Sequence, residues 1–167
     1  AAAGGVGSVA GQIARIKGAK LVVGTAGSDA KCQWLREELG YHAAINYRKE
    51  HVAERLAELF PDGIDVFFDN VGGEILDAGL ARLALRARIV ICGFISSDYS
   101  PGPHHGPINY QHIVYKRARM EGFVVFDYWN RYQLTFALYS VSDRAIPSAY
   151  DGLKPGQRRL LYQMHAS

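Results

Sequence analysis

Ala1-Ala2-Ala3-Gly4-Gly5-Val6-Gly7-Ser8-Val9-Ala10 opens the chain, and Gly5, Gly7 and Ala10 stand at G-x-G-x-x-A spacing. The stretch reads as the end of a strand entering a glycine turn that starts a helix. Glycines there let a backbone approach a pyrophosphate, while the helix N-terminus offers free N–H groups and partial positive charge. The plainer alternative is a tight strand-to-helix turn with no ligand. Downstream, Val9, Ile13 and Ile16 recur at helical spacing, so a helix is expected from about Ser8 to Lys17.

Working outward, Lys20–Thr25 reads as a strand, Asp29–Leu39 as a helix stopped by Gly40, and Ala43–Tyr47 as a strand. Glu50–Phe60 follows as an amphipathic helix, Pro61-Asp62-Gly63 as a turn, and Ile64–Asp69 as a strand buried on both faces. A helix is predicted over Glu74–Leu85 and a strand over Arg88–Phe94. Ser96–Pro107 reads as a polar loop at a strand's carboxyl end, where a ligand crevice is expected. A helix near Asn109–Lys116 and a strand near Met120–Phe126 complete the pattern. Short apolar strands alternating with helices imply right-handed crossovers and a parallel sheet covered on both faces. The fold class expected is α/β, a Rossmann-like doubly wound parallel sheet.

With 167 residues, 49% hydrophobic and 21% charged, the chain suits one globular domain and not a disordered or fibrous one. A net charge of +3 carried by scattered basic residues does not suggest nucleic acid as a partner. No apolar run approaches the roughly 20 residues that span a bilayer, so no membrane partner is expected. Two cysteines, Cys32 and Cys92, are too few for a disulfide framework, which favours a reducing, cytoplasmic setting.

Selectivity among dinucleotides is read at the end of the second strand, where NAD-binding proteins place Asp or Glu roughly 20 residues beyond the glycines to hold the ribose 2′-OH. Here Ala26-Gly27-Ser28 leaves a gap, with Lys31 one turn into the next helix. Lys31 supplies charge and Ser28 a donor for a 2′-phosphate, which favours NADP(H); the alternative for Lys31 is a solvated helix lysine. Asp29 suits a helix N-cap better than a ribose ligand. Asn70, in Asp69-Asn70-Val71-Gly72-Gly73, is either a cofactor contact or part of a turn feeding the next helix. Gly93 either admits the nicotinamide half close to the backbone or marks a bulge.

Metal binding is not expected: His104 and His105 are adjacent, and neither H-E-x-x-H nor C-x-x-C occurs. No G-x-S-x-G nucleophile motif is present. The aromatic run Phe123, Phe126, Tyr128 and Trp129 reads as an edge strand and its cover, along which a homodimer could pair.

Taken in order, Ala1–Ser8 with Gly11-Gln12, Ala26–Lys31, Asn46-Tyr47, Phe68–Gly73, Ile91–Ser96 and Arg119–Val125 resemble the zinc-independent medium-chain dehydrogenase/reductase superfamily. The branch they are similar to is that of leukotriene B4 dehydrogenase, prostaglandin reductase and alkenal reductase. The resemblance covers residues 1 to 133, a partial NADP-binding domain, and implies NADPH-dependent reduction of the C=C bond of α,β-unsaturated aldehydes and ketones. It implies that Gly5, Val6, Gly7 and Ser8 cradle the pyrophosphate, that Lys31 and Tyr47 hold the 2′-phosphate end, and that Asn70 touches the cofactor. Cys92, Gly93, Phe94, Ile95, Ser96, Ser97 and Asp98, with Phe123, Val124 and Val125, would line the nicotinamide half. Tyr115 matches the tyrosine that bonds the nicotinamide ribose and helps place the small-molecule enal or enone; the alternative is a buried helix tyrosine.

Two departures shape the expectation. The family's N-terminal catalytic domain and the strand expected before Ala1 are absent, so the chain reads as a fragment with its first strand missing. Leu134–Ser167 no longer follows the family, and reads as a divergent, non-homologous or disordered tail. Alternative functions are a non-catalytic dinucleotide-binding module or sensor, and a quinone reductase, against which the Arg119–Val125 block argues.

Overall fold

The computed structural model describes residues 2–95 and 106–128. Up to Phe123 these belong to one compact unit, and from Val124 onward to a second. In the first unit α1 (Gly5–Ile16) leads to β1 (Val23–Ala26), α2 (Asp29–Glu37), β2 (Ala43–Asn46), α3 (Val52–Leu59) and β3 (Ile64–Asp69). Then come α4 (Gly73–Leu80), β4 (Leu83–Ile91), a 3₁₀ turn at Ile108–Tyr110, α5 (Gln111–Tyr115) and β5 (Arg119–Gly122). Every strand pair is parallel. This is the Rossmann-like α/β fold the sequence predicts.

The strands form two sheets, β1-β2 and β3-β4-β5. In the doubly wound order 3-2-1-4-5-6, the break between β1 and β3 falls where the first strand belongs. On the β1 side of that break the Ala2 amide donates to the Thr25 carbonyl at 2.9 Å, drawing the chain entering α1 along the strand. Both sheets nonetheless share packing. Ile45 of β2, Leu56 of α3, Ile64 of β3 and Ala78 of α4 make one cluster. A second, of Val22, Ala26, Cys32, Leu35 and Tyr41, seals α2 on β1 and β2. A third, of Leu76, Leu80, Leu83, Ala87 and Ile89, seals α4 on β4. Each large aliphatic side chain so buried contributes about 1.5–3 kcal/mol.

Several expected boundaries move. The first helix begins at Gly5, inside the glycine turn and ahead of Ser8, with Gly4 extended at its N-cap. The predicted helix over Glu74–Leu85 ends at Leu80, and β4 starts at Leu83, because Ile64 pairs with Leu83 and its amide donates to the Arg82 carbonyl at 2.8 Å. The register then slips between Ile64 and Val66, and Arg86 takes a left-handed φ of 63° with its amide bonded to the Lys116 carbonyl. Helical periodicity through Leu85 therefore yields to strand pairing. Nor is β3 buried on both faces: Val66 is 66% exposed and Phe68 is also exposed. The apolar stripe Val6, Val9, Ile13 and Ile16 of α1 is exposed as well, with Ile16 at 82%. The last strand stops at Gly122, four residues short of Phe126, and Val125–Tyr128 forms a 3₁₀ turn instead of continuing an edge strand. Residues Ser96, Ser97, Asp98, Trp129 and the tail from 134 lie outside the described residues.

Candidate functional site

At the glycine turn, α1 starts on residues whose small size leaves its first turn uncovered. The Ser8 amide is the first to bond back, to the Gly4 carbonyl at 2.9 Å, and the Ser8 hydroxyl donates to the Gly5 carbonyl at 3.2 Å. Gly5, Val6 and Gly7 thus carry the amides that an α-helix leaves without an internal acceptor. A Cβ at Gly5 would meet nothing within 4 Å. The turn is braced from below by the buried Tyr41, whose hydroxyl donates to the Gly7 carbonyl at 2.6 Å. That ring also occupies the space a side chain at Gly11 would need. An open turn of free amides fits a dinucleotide pyrophosphate. Gly5→Ala is accordingly expected to leave the thermal midpoint of unfolding within about 2 °C, since the site is roomy and helical. The same variant should weaken binding of a dinucleotide several-fold in a calorimetric titration, by interposing a methyl at the turn.

The end of β1 forms a corner with the connection leaving β2. Ser28, not Asp29, is the N-cap of α2: its hydroxyl oxygen accepts the Lys31 amide at 3.4 Å. Asp29 occupies the first helical position, so the capping role expected for it is corrected by one residue. Its carboxylate turns to the β2–α3 connection, where Asn46 Nδ2 donates to Oδ1 at 2.6 Å and Lys49 Nζ pairs with Oδ2. Those two partners hold the Asp29 carboxyl below its ordinary value, the lysine contributing most. The Tyr47 hydroxyl lies 2.6 Å, and Arg48 Nε 3.4 Å, from where a Gly27 Cβ would sit. Tyr47 is further fixed by its amide bonding the Ala26 carbonyl at 3.1 Å. Ser28 and Tyr47, from two separate stretches of sequence, flank Gly27 at the tip of β1, and Lys31 lies in the first turn of the helix that Ser28 caps. Arg48 and Lys49 join them. Sequence reading passed over both, although their place directly after Tyr47 was the available signal.

The ends of β3 and β4 form a second corner. Asp69, only 2% exposed, accepts the Val71 amide at 3.1 Å and the Gly72 amide at 2.9 Å, which fixes the Asn70–Gly73 turn. Gly72 and Gly73 there take positive φ of 74° and 59°. The Cys92 amide bonds the Asp69 carbonyl at 2.7 Å, and the Asn70 side-chain oxygen lies 2.5 Å from where a Gly93 Cβ would stand. The Asn70 backbone oxygen lies 3.3 Å from the same position, so Gly93 packs closely on Asn70. Phe94 and Ile95 are exposed beyond it, and the Phe123 amide reaches the Ile91 carbonyl at 2.8 Å from the neighbouring strand. Val124 and Val125 fall in the second unit.

Burial pushes the Asp69 carboxyl up, against the opposing pull of the backbone amides of Val71, Gly72 and Asn70. A raised carboxyl stabilises the fold fully below its ordinary value, and that contribution is lost as pH rises through the raised one. The difference in unfolding free energy between wild type and Asp69→Asn should therefore move in favour of the variant as pH rises from the ordinary carboxylate range through the raised value. Denaturant titrations at several pH values read that slope. A constant offset from the altered hydrogen bonds does not affect it.

Tyr115 ends α5 and is 64% exposed, which rules out the buried-tyrosine alternative. Its ring meets His112 edge-on at 5.9 Å, and its carbonyl accepts from Arg117 at 2.9 Å. The start of this segment is tied to α4 by Asp77, which accepts the amides of Ile108 and Asn109 at 2.7 and 3.1 Å. Both cysteines are free; Cys32 is buried, and burial raises its thiol. Among the described residues no helix is long and apolar enough to cross a membrane.

An open glycine turn at a helix start, followed by strand ends carrying Ser28 and Tyr47 at one corner and Asn70 and Gly93 at another, defines a dinucleotide-binding domain of the Rossmann type. The match to known proteins is specific. Residues 5–140 match the zinc-binding dehydrogenase family, and the chain belongs to it. Within the medium-chain dehydrogenases it falls in the branch of alkenal and prostaglandin reductases. It is 45% identical over 133 residues to the NADP(+)-dependent 2-alkenal reductase of Nicotiana tabacum, covering 79% of this chain and 38% of that protein. Against prostaglandin reductase 1 of Mus musculus it is 48% identical over 135 residues, covering 80% and 39%. The crystal structure of CurA from Vibrio vulnificus in complex with NADPH superposes with a TM-score of 0.70 at 35% identity, over 83% of this chain and 43% of that one. The chain thus spans about two fifths of the length of these curated relatives. The family carries zinc in its description, yet among the described residues no three His, Cys, Asp or Glu side chains gather as a ligand group. The described residues therefore offer no ligand set for a zinc ion.

Proposed function

We propose that this chain is the cofactor-binding part of a zinc-independent, NADPH-dependent reductase acting on the C=C bond of α,β-unsaturated aldehydes and ketones. The observation that carries the reading is the corner at the tip of β1, where the Tyr47 hydroxyl stands over Gly27 beside Ser28, which caps the helix whose first turn carries Lys31. Two connections converge there at a strand tip, with the exposed Lys31 one helical turn away, which supports that corner as the place of a 2′-phosphate. NADPH, when bound, supplies the hydride.

The chain's own residues bind and orient. The amides of Gly5, Val6 and Gly7, with Ser8, hold the pyrophosphate; Lys31, Ser28 and Tyr47 hold the 2′-phosphate. Asn70, Cys92 and Gly93, with Phe94, Ile95 and Phe123, shape the surface along which the nicotinamide half runs. The Tyr115 hydroxyl bonds the ribose and orients the carbonyl of the enal, so that negative charge developing on that oxygen meets a donor. Names and solved complexes of the relatives support the cofactor and the substrate class.

Titration calorimetry with NADPH, using NADH as control, tests the cofactor. Consumption of NADPH with a simple enal, with a benzoquinone as competing substrate class, tests the reaction. Tyr115→Phe is expected to lower kcat about tenfold while leaving unfolding midpoints unchanged, as an exposed hydroxyl should. We place the protein in the cytoplasm, in keeping with its two free thiols. If two copies pair, the outer edge of β5 is the strand edge for it, which sedimentation would read.

A further inference from the structure

We propose that Lys49 is a selectivity determinant that acts through Asp29, by compensating the Asp29 carboxylate beside the 2′-phosphate corner. This rests on the NADP(H) reading above. In doubly wound folds a free carboxylate near the tip of this strand favours the ribose 2′-OH and repels a 2′-phosphate. Asp29 stands three residues beyond the last residue of β1, close enough to present that repulsion, yet neither of its oxygens is free. Asn46 Nδ2 donates to Oδ1 at 2.6 Å and Lys49 Nζ pairs with Oδ2.

The arrangement is built and not incidental. Asn46 is buried, and its side-chain oxygen accepts the Arg48 amide at 3.2 Å, which leaves its Nδ2 to face Asp29. Its backbone amide bonds Glu50 Oε1 at 2.7 Å, and its carbonyl accepts the amides of Lys49 and Glu50, each at 2.9 Å. Residues 46–50 therefore form a tight turn that aims Lys49 at Asp29. The pair itself is exposed, with both side chains at 66%, and exposed pairs add little to stability. Its consequence lies in the charge seen by a ligand. With the lysine in place the Asp29 carboxylate is neutralised locally; without it that carboxylate offsets part of the positive charge that Lys31 and Arg48 bring to the corner.

The test is a double-mutant cycle on the ratio of NADH to NADPH dissociation constants, measured by calorimetry for wild type, Lys49→Met, Asp29→Asn and the double variant. Lys49→Met is expected to lower the preference for NADPH about tenfold, the size of a like-charge penalty in a partly screened setting. In the Asp29→Asn background the same change should alter the ratio less than about twofold, since the charge it compensates is gone. Unfolding midpoints should stay together across the set.

Lys49→Met lowering the preference equally in both backgrounds would overturn the inference, assigning Lys49 to the phosphate directly. An unchanged ratio in Lys49→Met would overturn it too, while leaving the NADP(H) reading intact. Wild-type protein that takes NADPH and NADH equally would overturn the reading itself, and the inference with it. Lys49→Gln, which keeps a polar side chain without charge, provides the same readout if the methionine variant fails to fold.

Discussion

Lys31→Ala should weaken NADPH binding about fiftyfold and leave NADH binding within about twofold. A hydrogen bond to a charged group contributes about 1.5–3 kcal/mol, and each 1.4 kcal/mol is about tenfold in affinity. Lys31 sits in the first turn of α2, exposed, its backbone amide already used by Ser28 in the cap. The side chain is thus available to a phosphate, and its removal leaves the helix start intact. Titration calorimetry with the two cofactors measures the effect, and equal losses for both would show that Lys31 contributes general attraction and not 2′-phosphate recognition. Lys31→Arg is expected to retain most of the preference, because charge at that position is the requirement.

A larger effect on folding is expected from Gly63→Ala. Gly63 closes the turn from α3 into β3 with φ of 98°, a conformation that L side chains rarely adopt. A Cβ there would lie 2.6 Å from the Ala84 nitrogen, 2.7 Å from its Cα and 2.8 Å from the Leu83 carbonyl carbon. All three are backbone atoms at the start of β4, where Ile64 pairs with Leu83, so no side-chain rotation relieves the overlap. The turn has little slack, since Arg82 ties it down by donating to the carbonyls of Phe60 and Pro61, each at 2.8 Å. Strain and overlap together should cost about 3–5 kcal/mol, a large part of a typical domain's stability. Chemical denaturation should show the midpoint falling with little change in slope. A loss below about 1 kcal/mol would mean that the β3–β4 start shifts to make room.

These two glycine-rich regions show what sequence could reach. The glycine turn at Gly5–Gly7, the strand tip at Ala26-Gly27-Ser28 and the alternation of short apolar strands with helices are local patterns. Backbone propensity and side-chain periodicity write them directly into the order of residues, and the fold class followed, while Tyr47 was reached only through the family resemblance. Ser28 and Asp29 mark where that reach ends. Both are good capping residues, and the choice of Ser28 depends on Asn46 and Lys49 drawing the Asp29 carboxylate away.

The sequence by itself determined the order of strands and helices and the glycine turn that opens α1, because those depend on neighbours a few residues apart. Tertiary structure decided the rest. It ended α4 at Leu80, because pairing with Ile64 claims Leu83 for a strand that periodicity alone extends as helix. It left β3 open on one face, because cover is supplied by other elements and not by the strand's own apolar residues. It brought Lys49 to Asp29 across twenty positions. Interactions between segments distant in the chain leave no periodic trace, so only folding reveals which partner each polar side chain finds.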